Sequence, residues 1–502
     1  MAELEIEHID SVDIRIRCDR SIARELSDFF SFKVPNYQFH PAYRNRMWDG
    51  QIKLYNIYKQ TIYAGLLKYV FQFAKDRSYE IDYKPQSKKS DHFSESNVRK
   101  YMTEFLKPFA NGKIIQPHDH QVQAVTHAIN HDRCLLLSPT GSGKSLIIYA
   151  LMRFYFDLIP DDKKILIIVP TTSLVAQMKS DFTDYSKKNG WSVTNNCHTI
   201  FAGKEKTDSR KVIISTWQSI FKQPKSYFDQ FEVVFGDECH LFKAKSLTGI
   251  MTSLTNCPYR IGTTGTLDGS QTHKLVLEGL FGPVMNVTST KELMDLDLLS
   301  DLRIENILLE HSKSKAKAFK GMTYQDEIDW IVQNEDRNKF ITQLTLRLKG
   351  NTLVLFQYIE KQGAKLYDLI NTAAADGRKV FFVHGSTDSE TREEIRHITE
   401  KESNAIIVAS YGTFSTGISI RNLHNIVFAS PSKSRIRVLQ SIGRQLRKSE
   451  NKDLAKLYDI GDDLSWKSYK NHTMKHFEER IKIYASEKFE YRLNRINFDA
   501  ED

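Results

Sequence analysis

"SPTGSGKS", residues 138 to 145, is the stretch on which the fold turns. It lies close to the phosphate-binding pattern G-x-x-x-x-G-K-[ST]. In that pattern backbone N–H groups cradle phosphates, the lysine reaches the β- and γ-phosphates, and the last hydroxyl takes a metal ion. Gly143, Lys144 and Ser145 fit, and Ser138 stands where the first glycine belongs. Context separates a variant from an accident. "RCLLL" before the loop is a short apolar run, and "GKSLIIYALMRFYFD" after it is a helical stretch. Strand, glycine turn and helix is the order the chemistry needs. The helix N-terminus favours negative charge, and Gly141, Ser142, Gly143 and Lys144 can turn their N–H groups onto a phosphate.

Outward from the loop the strand rhythm continues. "KILIIVP", "KVIIST", "FEVVFGDE" and "YRIGTTGT" are short apolar runs separated by longer polar or helical segments. The rhythm repeats between residues 352 and 460 with "TLVLFQ", "KVFFVHG", "NAIIVAS", "HNIVFAS" and "AKLYDI". Strands without polar alternation are buried on both faces, which means parallel sheets covered by helices. The fold class is therefore α/β, with two such domains in succession and a phosphate loop only in the first. The boundaries predict an N-terminal accessory domain of small α+β type over 1–95, the first of the two α/β domains over 96–300, the second over 301–465, and a helical extension over 466–502. The stretch "HSKSKAKAFKGMTYQDEIDW" from His311 to Trp330 is polar and basic, and reads as an inter-domain connection or an inserted excursion.

Composition bounds the class. A chain of 502 residues is too long for one core. Its 40% hydrophobic and 11% aromatic content suits packed domains, not a disordered chain. The opening "MAELEIEHID" is acidic and lacks an apolar core, and no apolar run is long enough to span a bilayer. The five cysteines are scattered and odd in number, as expected of reduced thiols in a cytoplasmic protein. The net charge of +9 is uneven. Residues 31–90 hold 11 basic residues against four acidic ones, along a run of aromatics that starts just before them at Phe29 and Phe30 and continues through Tyr43, Trp48, Tyr55 and Tyr69. Positive charge attracts phosphates and aromatic faces stack on bases, so this segment reads as an accessory DNA-binding surface. A core of aromatics with solvated lysines is the competing reading, and Trp48 is placed in either.

A nucleotide hydrolase also needs a metal ligand and a base. "FEVVFGDECH" ends a strand with Asp237 and Glu238, at the edge where α/β sheets place ligands. Asp237, with Ser145, would hold Mg²⁺, and Glu238 would orient or deprotonate the attacking water as well as standing near the metal. "QSIGRQLRK" supplies positive charge for the transition state: Arg444 and Arg447 are three apart, on one face of a helix. Residues 431–448 carry six basic residues and no acidic one, so a nucleic-acid face is compatible with a finger role.

With these residues on the page the sequence resembles a superfamily-two DExH helicase, a family whose first motif often begins with Ala or Ser. Ser138, Pro139, Thr140, Gly141, Ser142, Gly143, Lys144 and Ser145 would then bind ATP, and "DECH" (Asp237–His240) is the DExH box. The resemblance implies two RecA-like domains. It implies strand-contacting or coupling roles for Pro170, Thr171 and Thr172 in "VPTTSLVAQ", Ser215 and Thr216 in "STWQ", and Thr264 and Thr266 in "TTGT". Thr413 and Thr416, with Gly417 at the nucleotide, come from "SYGTFSTGIS", and Gln440 joins Arg444 and Arg447 in the last motif. Gln121 in "HDHQ" matches the adenine-reading glutamine, though His118 and His120 replace the usual Arg and aromatic. "WQSIFKQPKSYFDQF", "VASYGTFSTGIS" and the N-terminal "FFSF…WDGQIKLY" are similar, within that superfamily, to the UvsW-type recombination helicases of T-even-type phages. That likeness implies action on stalled forks, Holliday junctions, D-loops and R-loops in recombination, repair and replication restart. The partners it implies are single-stranded and branched DNA, RNA–DNA hybrids, and phage replication and recombination proteins in the host cytoplasm. A DExH RNA helicase or a restriction-system motor is the alternative, although the sequence holds no clustered D…E-x-K nuclease site. A strand-annealing protein that kept only the fold is the third.

Overall fold

The computed structural model describes residues 2–499 except 36, 86–91, 111, 202, 204, 243, 376, 418, 419, 421, 433, 447, 449–451 and 453. The chain divides into two compact units: residues 1–138 with 142–288, and residues 139–141 with 289–502.

The first unit carries a seven-stranded parallel sheet. Its strands lie in the order Cys197–Ile200, Val212–Thr216, Lys164–Val169, Phe231–Asp237, Tyr259–Thr264, Arg133–Leu137 and Val284–Asn286. Alternate residues enter opposite cores. Ile165, Ile167 and Val169 pack on one side with the helix Lys144–Leu158, while Leu166 and Ile168 pack on the other. This is why "KILIIVP" shows no polar alternation: both faces of the strand are covered. Two edge strands were not read from the sequence. Cys197–Ile200 and Val284–Asn286 are short, pair on one side only, and carry His, Thr and Asn among their apolar residues.

A second, four-stranded sheet precedes it, ordered Thr61–Tyr63, Asp13–Arg17, Leu4–His8 and Ile81–Tyr83, with the helices Arg20–Phe29 and Leu67–Arg77. Its core takes Phe30, Tyr55 and Phe73 fully inside, so for these aromatics packing is the reason they are there. The same core includes Leu275, from the helix Gln271–Leu280 of the motor sheet. On that helix Glu278 is wholly buried, accepting from Lys68 Nζ at 2.9 Å, Tyr69 Oη at 2.5 Å and the Val284 N–H at 2.9 Å. Backbones meet closely here: a Cβ on Gly65 would sit 2.0 Å from the Glu278 carbonyl oxygen. The N-terminal module is thus built onto the first motor sheet rather than tethered to it.

The second unit repeats the plan with a seven-stranded parallel sheet, ordered Val380–Val383, Ile406–Ser410, Thr352–Phe356, Asn425–Phe428, Leu454–Asp463, Asp301–Glu310 and Tyr491–Asn497. Leu353, Leu355, Ile407 and Phe428 face one core, and Val354, Phe356, Val408 and Val427 the other. The C-terminal extension forms its expected helix, His472–Ser486, and then adds the edge strand Tyr491–Asn497 parallel to Asp301–Glu310. That strand is exposed and polar, "YRLNRIN", which hid it from a reading by hydrophobic pattern. The stretch His311–Trp330 lies within this unit, following the strand Asp301–Glu310 with the helices Lys313–Ala318 and Tyr324–Gln333. Buried Glu327 accepts from the His472 and Thr473 N–H groups at 2.9 and 2.7 Å, and so satisfies the first turn of the C-terminal helix.

Candidate active site

Ser138 continues the strand Arg133–Leu137, donating its N–H to the Thr264 carbonyl at 2.8 Å. Its hydroxyl lies 2.6 Å from Ser142 Oγ, both fully enclosed, and so ties the loop back on itself. Gly141 and Gly143 have φ of +90° and +83°, where an L side chain is strained, whereas Ser138 is not among the residues of positive φ. The missing first glycine therefore costs the backbone nothing, and the hydroxyl that replaces it braces the turn. Pro139 and Thr140 carry the chain between these two fixed points.

Gln121 closes the other side of the loop. Its Nε2 donates to the Ser142 carbonyl at 2.9 Å, its Oε1 accepts from the His118 N–H at 3.0 Å, and His120 Nε2 donates to the same Ser142 carbonyl at 2.9 Å. A Cβ on Gly143 would lie 2.2 Å from Gln121 Nε2, a second reason for glycine there. Lys144 Nζ donates to the Ser138 carbonyl at 3.1 Å, and Ser145 sits in the first turn of the helix that opens at Lys144.

The strand Phe231–Asp237 neighbours Tyr259–Thr264, which neighbours Arg133–Leu137, so the loop, the acidic pair and the TTGT stretch meet at the carboxyl ends of three adjacent strands. Asp237 Oδ1 accepts from Thr263 Oγ1 at 2.8 Å and from the Glu238 N–H at 3.0 Å. Burial, and then the Glu238 carboxylate, push the Asp237 carboxyl above its usual range, while Lys144 and the Thr263 hydrogen bond act in the opposite direction. Glu238 has φ of +49°, a costly conformation for a side-chain-bearing residue and one found where a functional group must be aimed. Its Oε2 lies 3.3 Å from His240 Nδ1, which is 3.0 Å from Thr264 Oγ1. The Thr264 hydroxyl also lies 3.1 Å from the Thr266 carbonyl, to which it can donate. His273 Nε2 donates to the His240 carbonyl at 2.9 Å, and its Nδ1 faces Asp268 Oδ1 at 3.0 Å. Thr263, His240 and His273 were not among the expected site residues. Thr263 and His240 lie inside quoted motifs, but the signal for His273 is tertiary alone.

Pro170–Thr172 and Ser215–Thr216 lie side by side, because Val169 pairs with Thr216 across parallel strands. Thr171 Oγ1 caps the helix Thr172–Ser186 by accepting from the Leu174 N–H at 3.3 Å, and Thr216 Oγ1 lies 2.8 Å from Ser219 Oγ. The Ser215 hydroxyl, fully buried, donates to the Thr216 carbonyl at 2.9 Å, and Gln218 Nε2 donates to the Pro170 carbonyl at 3.4 Å. Within the second unit, Thr413 Oγ1 is 2.8 Å from Ser410 Oγ in the turn that begins the helix Tyr411–Gly417. Thr416 and Gly417 belong to that helix, but their side-chain surroundings lie outside the described residues. Gln440 and Arg444 lie half-buried on the helix Arg435–Gln445, with the Arg444 guanidinium 5.8 Å from the Phe414 ring centroid. Arg447 lies outside the described residues. Part of the basic cluster has structural partners, Arg435 with Glu487 and Arg437 Nη1 with Gln357 Oε1 at 2.8 Å.

Among the described residues no group of three or more His, Cys, Asp or Glu side chains could hold a metal ion by itself. The Asp237 carboxylate and the Ser145 hydroxyl are oxygen donors of the kind that a Mg²⁺ ion takes beside phosphates and water. No helix among the described residues is long and apolar enough to cross a membrane. All five cysteines are free thiols.

Three family profiles match the chain: "DNA helicase UvsW, N-terminal" over residues 3–84, "Type III restriction enzyme, res subunit" over 114–269, and "Helicase conserved C-terminal domain" over 335–449. The DNA 3'-5' translocase XPB2 of Sulfurisphaera tokodaii is 23% identical over 376 residues, 68% of this chain and 80% of that protein. The ATP-dependent DNA helicase uvsW of Enterobacteria phage T4 is 36% identical over 512 residues, 99% of this chain and 100% of that protein. The crystal structure of T4 UvsW superposes with a TM-score of 0.52 at 35% identity, covering 99% of this chain and all of that one. Similar from end to end to that helicase, with a glycine-rich loop and a DExH box on strands separated by one other strand of the same parallel sheet, the chain belongs to the UvsW family of ATP-dependent DNA helicases.

Proposed function

We propose that this chain spends ATP to remodel branched DNA, at stalled forks, Holliday junctions, D-loops and R-loops. The observation that carries the reading is the meeting of Lys144, Asp237, Glu238 and Thr264 at three neighbouring strand ends, in a chain similar over its full length to a DNA helicase. ATP would lie with its phosphates on Gly141–Ser145, and Lys144 would exchange its bond to the Ser138 carbonyl for the β- and γ-phosphates. Mg²⁺, held by Asp237 and Ser145, would neutralise the phosphate charge. Glu238, aimed by its left-handed backbone and by His240, orients the attacking water and takes its proton. Gln121 reads the adenine edge, and its bond to Ser142 carries that state directly to the loop.

His240 touches both Glu238 and Thr264, so a change at the γ-phosphate reaches the TTGT stretch through one side chain. Pro170, Thr171, Thr172, Ser215, Thr216 and Thr266 in the first unit, with Thr413 and Thr416 in the second, track or couple to the DNA strand. Arg444 and Arg447 supply positive charge to the transition state with Gln440 beside them, and Gly417 lies at the nucleotide. The N-terminal module selects branched DNA over simple strands. RNA–DNA hybrids and phage replication and recombination proteins complete the proposed partners.

The test is the ATPase rate of the intact chain with no nucleic acid, with single-stranded DNA, with forked DNA and with RNA, together with strand displacement on each. Stimulation by DNA with preferential remodelling of forks is expected. Stimulation by RNA alone would favour the RNA-helicase alternative, and cleavage of the duplex would favour the restriction motor.

A further inference from the structure

The N-terminal module contains a hairpin that closes far from its tip. Strands Ser31–Lys33 and Gln51–Lys53 pair antiparallel and Val34 donates to the Gly50 carbonyl at 2.9 Å, so the connection runs from residue 34 to residue 50. Hairpins usually close within about two to five residues, and longer ordered excursions are commonly functional. At the tip, the short helix Pro41–Arg44 is capped by His40, whose Nδ1 accepts from the Ala42 N–H at 3.3 Å. Arg46 then turns into the left-handed region with φ of +56°, and the Met47 N–H returns to the Ala42 carbonyl at 2.8 Å. This reversal leaves Met47 standing out of the surface, 82% exposed.

Trp48 beside it is half-buried and held in place. Its Nε1 donates to the Gln51 carbonyl at 2.8 Å, and its ring meets His40 edge-on with centroids 5.3 Å apart. An open hollow of about 870 Å³ is lined here by Tyr43, Arg44, Arg46, Met47, Trp48 and Lys53, among others. The nearby carboxylate, Asp49, is taken by Lys53 at 2.8 Å. Arg44 and Arg46 have no ion-pair partner among the described residues.

We propose that this tip is a wedge for the branch point of duplex DNA. Met47 enters between the base pairs at the junction, the Trp48 face receives the unstacked base, and Arg44 and Arg46 hold the flanking phosphates. Apolar wedges that part base steps, set among cations that take the phosphates, are an established way of opening a duplex. Two unneutralised guanidinium groups beside an exposed apolar tip match an anionic backbone around stacked bases. The base of the hairpin packs against the helix Gln271–Leu280, whose His273 is bonded to the DExH box, so the wedge is held in fixed relation to the ATP site. The proposal rests on the branched-DNA reading and adds the residues that part the strands.

The test uses the full chain and a DNA fork with 2-aminopurine at the junction pair, with a fork of the same design in RNA. Wild type is expected to raise the fluorescence of the DNA fork on binding. Met47→Ala should abolish most of that rise and slow fork unwinding about tenfold or more, the scale at which one lost base contact weakens binding. It should leave the melting temperature and the ATPase on single-stranded DNA unchanged. The double variant Arg44→Ala, Arg46→Ala should lower the log–log salt slope of fork binding by about 1.8, from about 0.9 per phosphate contact. An unchanged fluorescence rise and unwinding rate in Met47→Ala would overturn the wedge, whatever the ATPase. A rise confined to the RNA fork would overturn the choice of DNA. Absence of any DNA-stimulated ATPase in wild type would overturn the parent reading, and the wedge with it.

Discussion

Replacing Thr263 by Val tests the catalytic geometry at its least redundant point. The two side chains have nearly the same shape, Thr263 is 1% exposed, and the change removes one hydroxyl, the one that donates to Asp237 Oδ1 at 2.8 Å. Hydrogen bonds to a charged group contribute about 1.5–3 kcal/mol. Asp237 is half-buried, so solvent can replace part of this, and the lower end, about 1.5 kcal/mol, applies. The sign follows from what the bond holds. It favours the ionised carboxylate, already disfavoured by burial and by Glu238, so its loss raises the Asp237 carboxyl further. At about 1.4 kcal/mol per pH unit the acid limb of the kcat/KM profile should move up by about one unit. Because protons and Mg²⁺ compete for the same carboxylate, the Mg²⁺ concentration for half-maximal ATPase should also rise about tenfold at pH values below the acid limb. Thermal melting of the same preparation checks that the sheet is intact, and Val is at least as good a strand former as Thr. If the acid limb and the Mg²⁺ requirement both stay where they are, Asp237 is not the metal-facing group.

Three further outcomes follow from the site. Lys144→Ala should abolish ATP turnover and unwinding while fork binding, measured by anisotropy on the same preparation, stays near normal; lost binding in a folded variant would count against the loop assignment. Glu238→Gln keeps shape and removes the base, so ATP should bind normally and turn over about 10²–10⁴ times more slowly; turnover within about threefold of wild type would refute the role. Arg444→Ala should lower kcat by roughly 10³ or more with little change in ATP affinity, and the loss should persist at saturating DNA; full recovery with excess DNA would make Arg444 a DNA contact instead.

Much of the fold was legible because parallel-sheet strands announce themselves. "KILIIVP", "KVIIST" and "TLVLFQ" each hold an unbroken apolar run with no polar alternation, and each became a strand covered on both faces. The edge strands Cys197–Ile200 and Tyr491–Asn497 were not legible, since an edge strand needs less apolar surface and its pattern weakens accordingly. The aromatics of residues 29–69 divided between the two readings. Phe30 and Tyr55 are core, Tyr69 is tied to Glu278, and Trp48 is a half-buried ring at a surface hollow. Composition could not sort them, because burial depends on what each residue packs against in the folded module.

The sequence by itself pointed to the glycine-rich loop, the acidic pair and the central strands of both parallel sheets, since each is a local pattern carried by near neighbours in the chain. Only the tertiary structure decided which strand ends adjoin, and so brought Thr263 to Asp237, His240 to Thr264, and Gln121 to the back of the loop. It also decided that Ser138 serves as a brace, through a hydroxyl four residues away, and that His273 supports the DExH box from another helix. A hydrogen bond needs its partners within about 3 Å, and for residues distant in the chain that distance is set by packing, which no short stretch of sequence encodes.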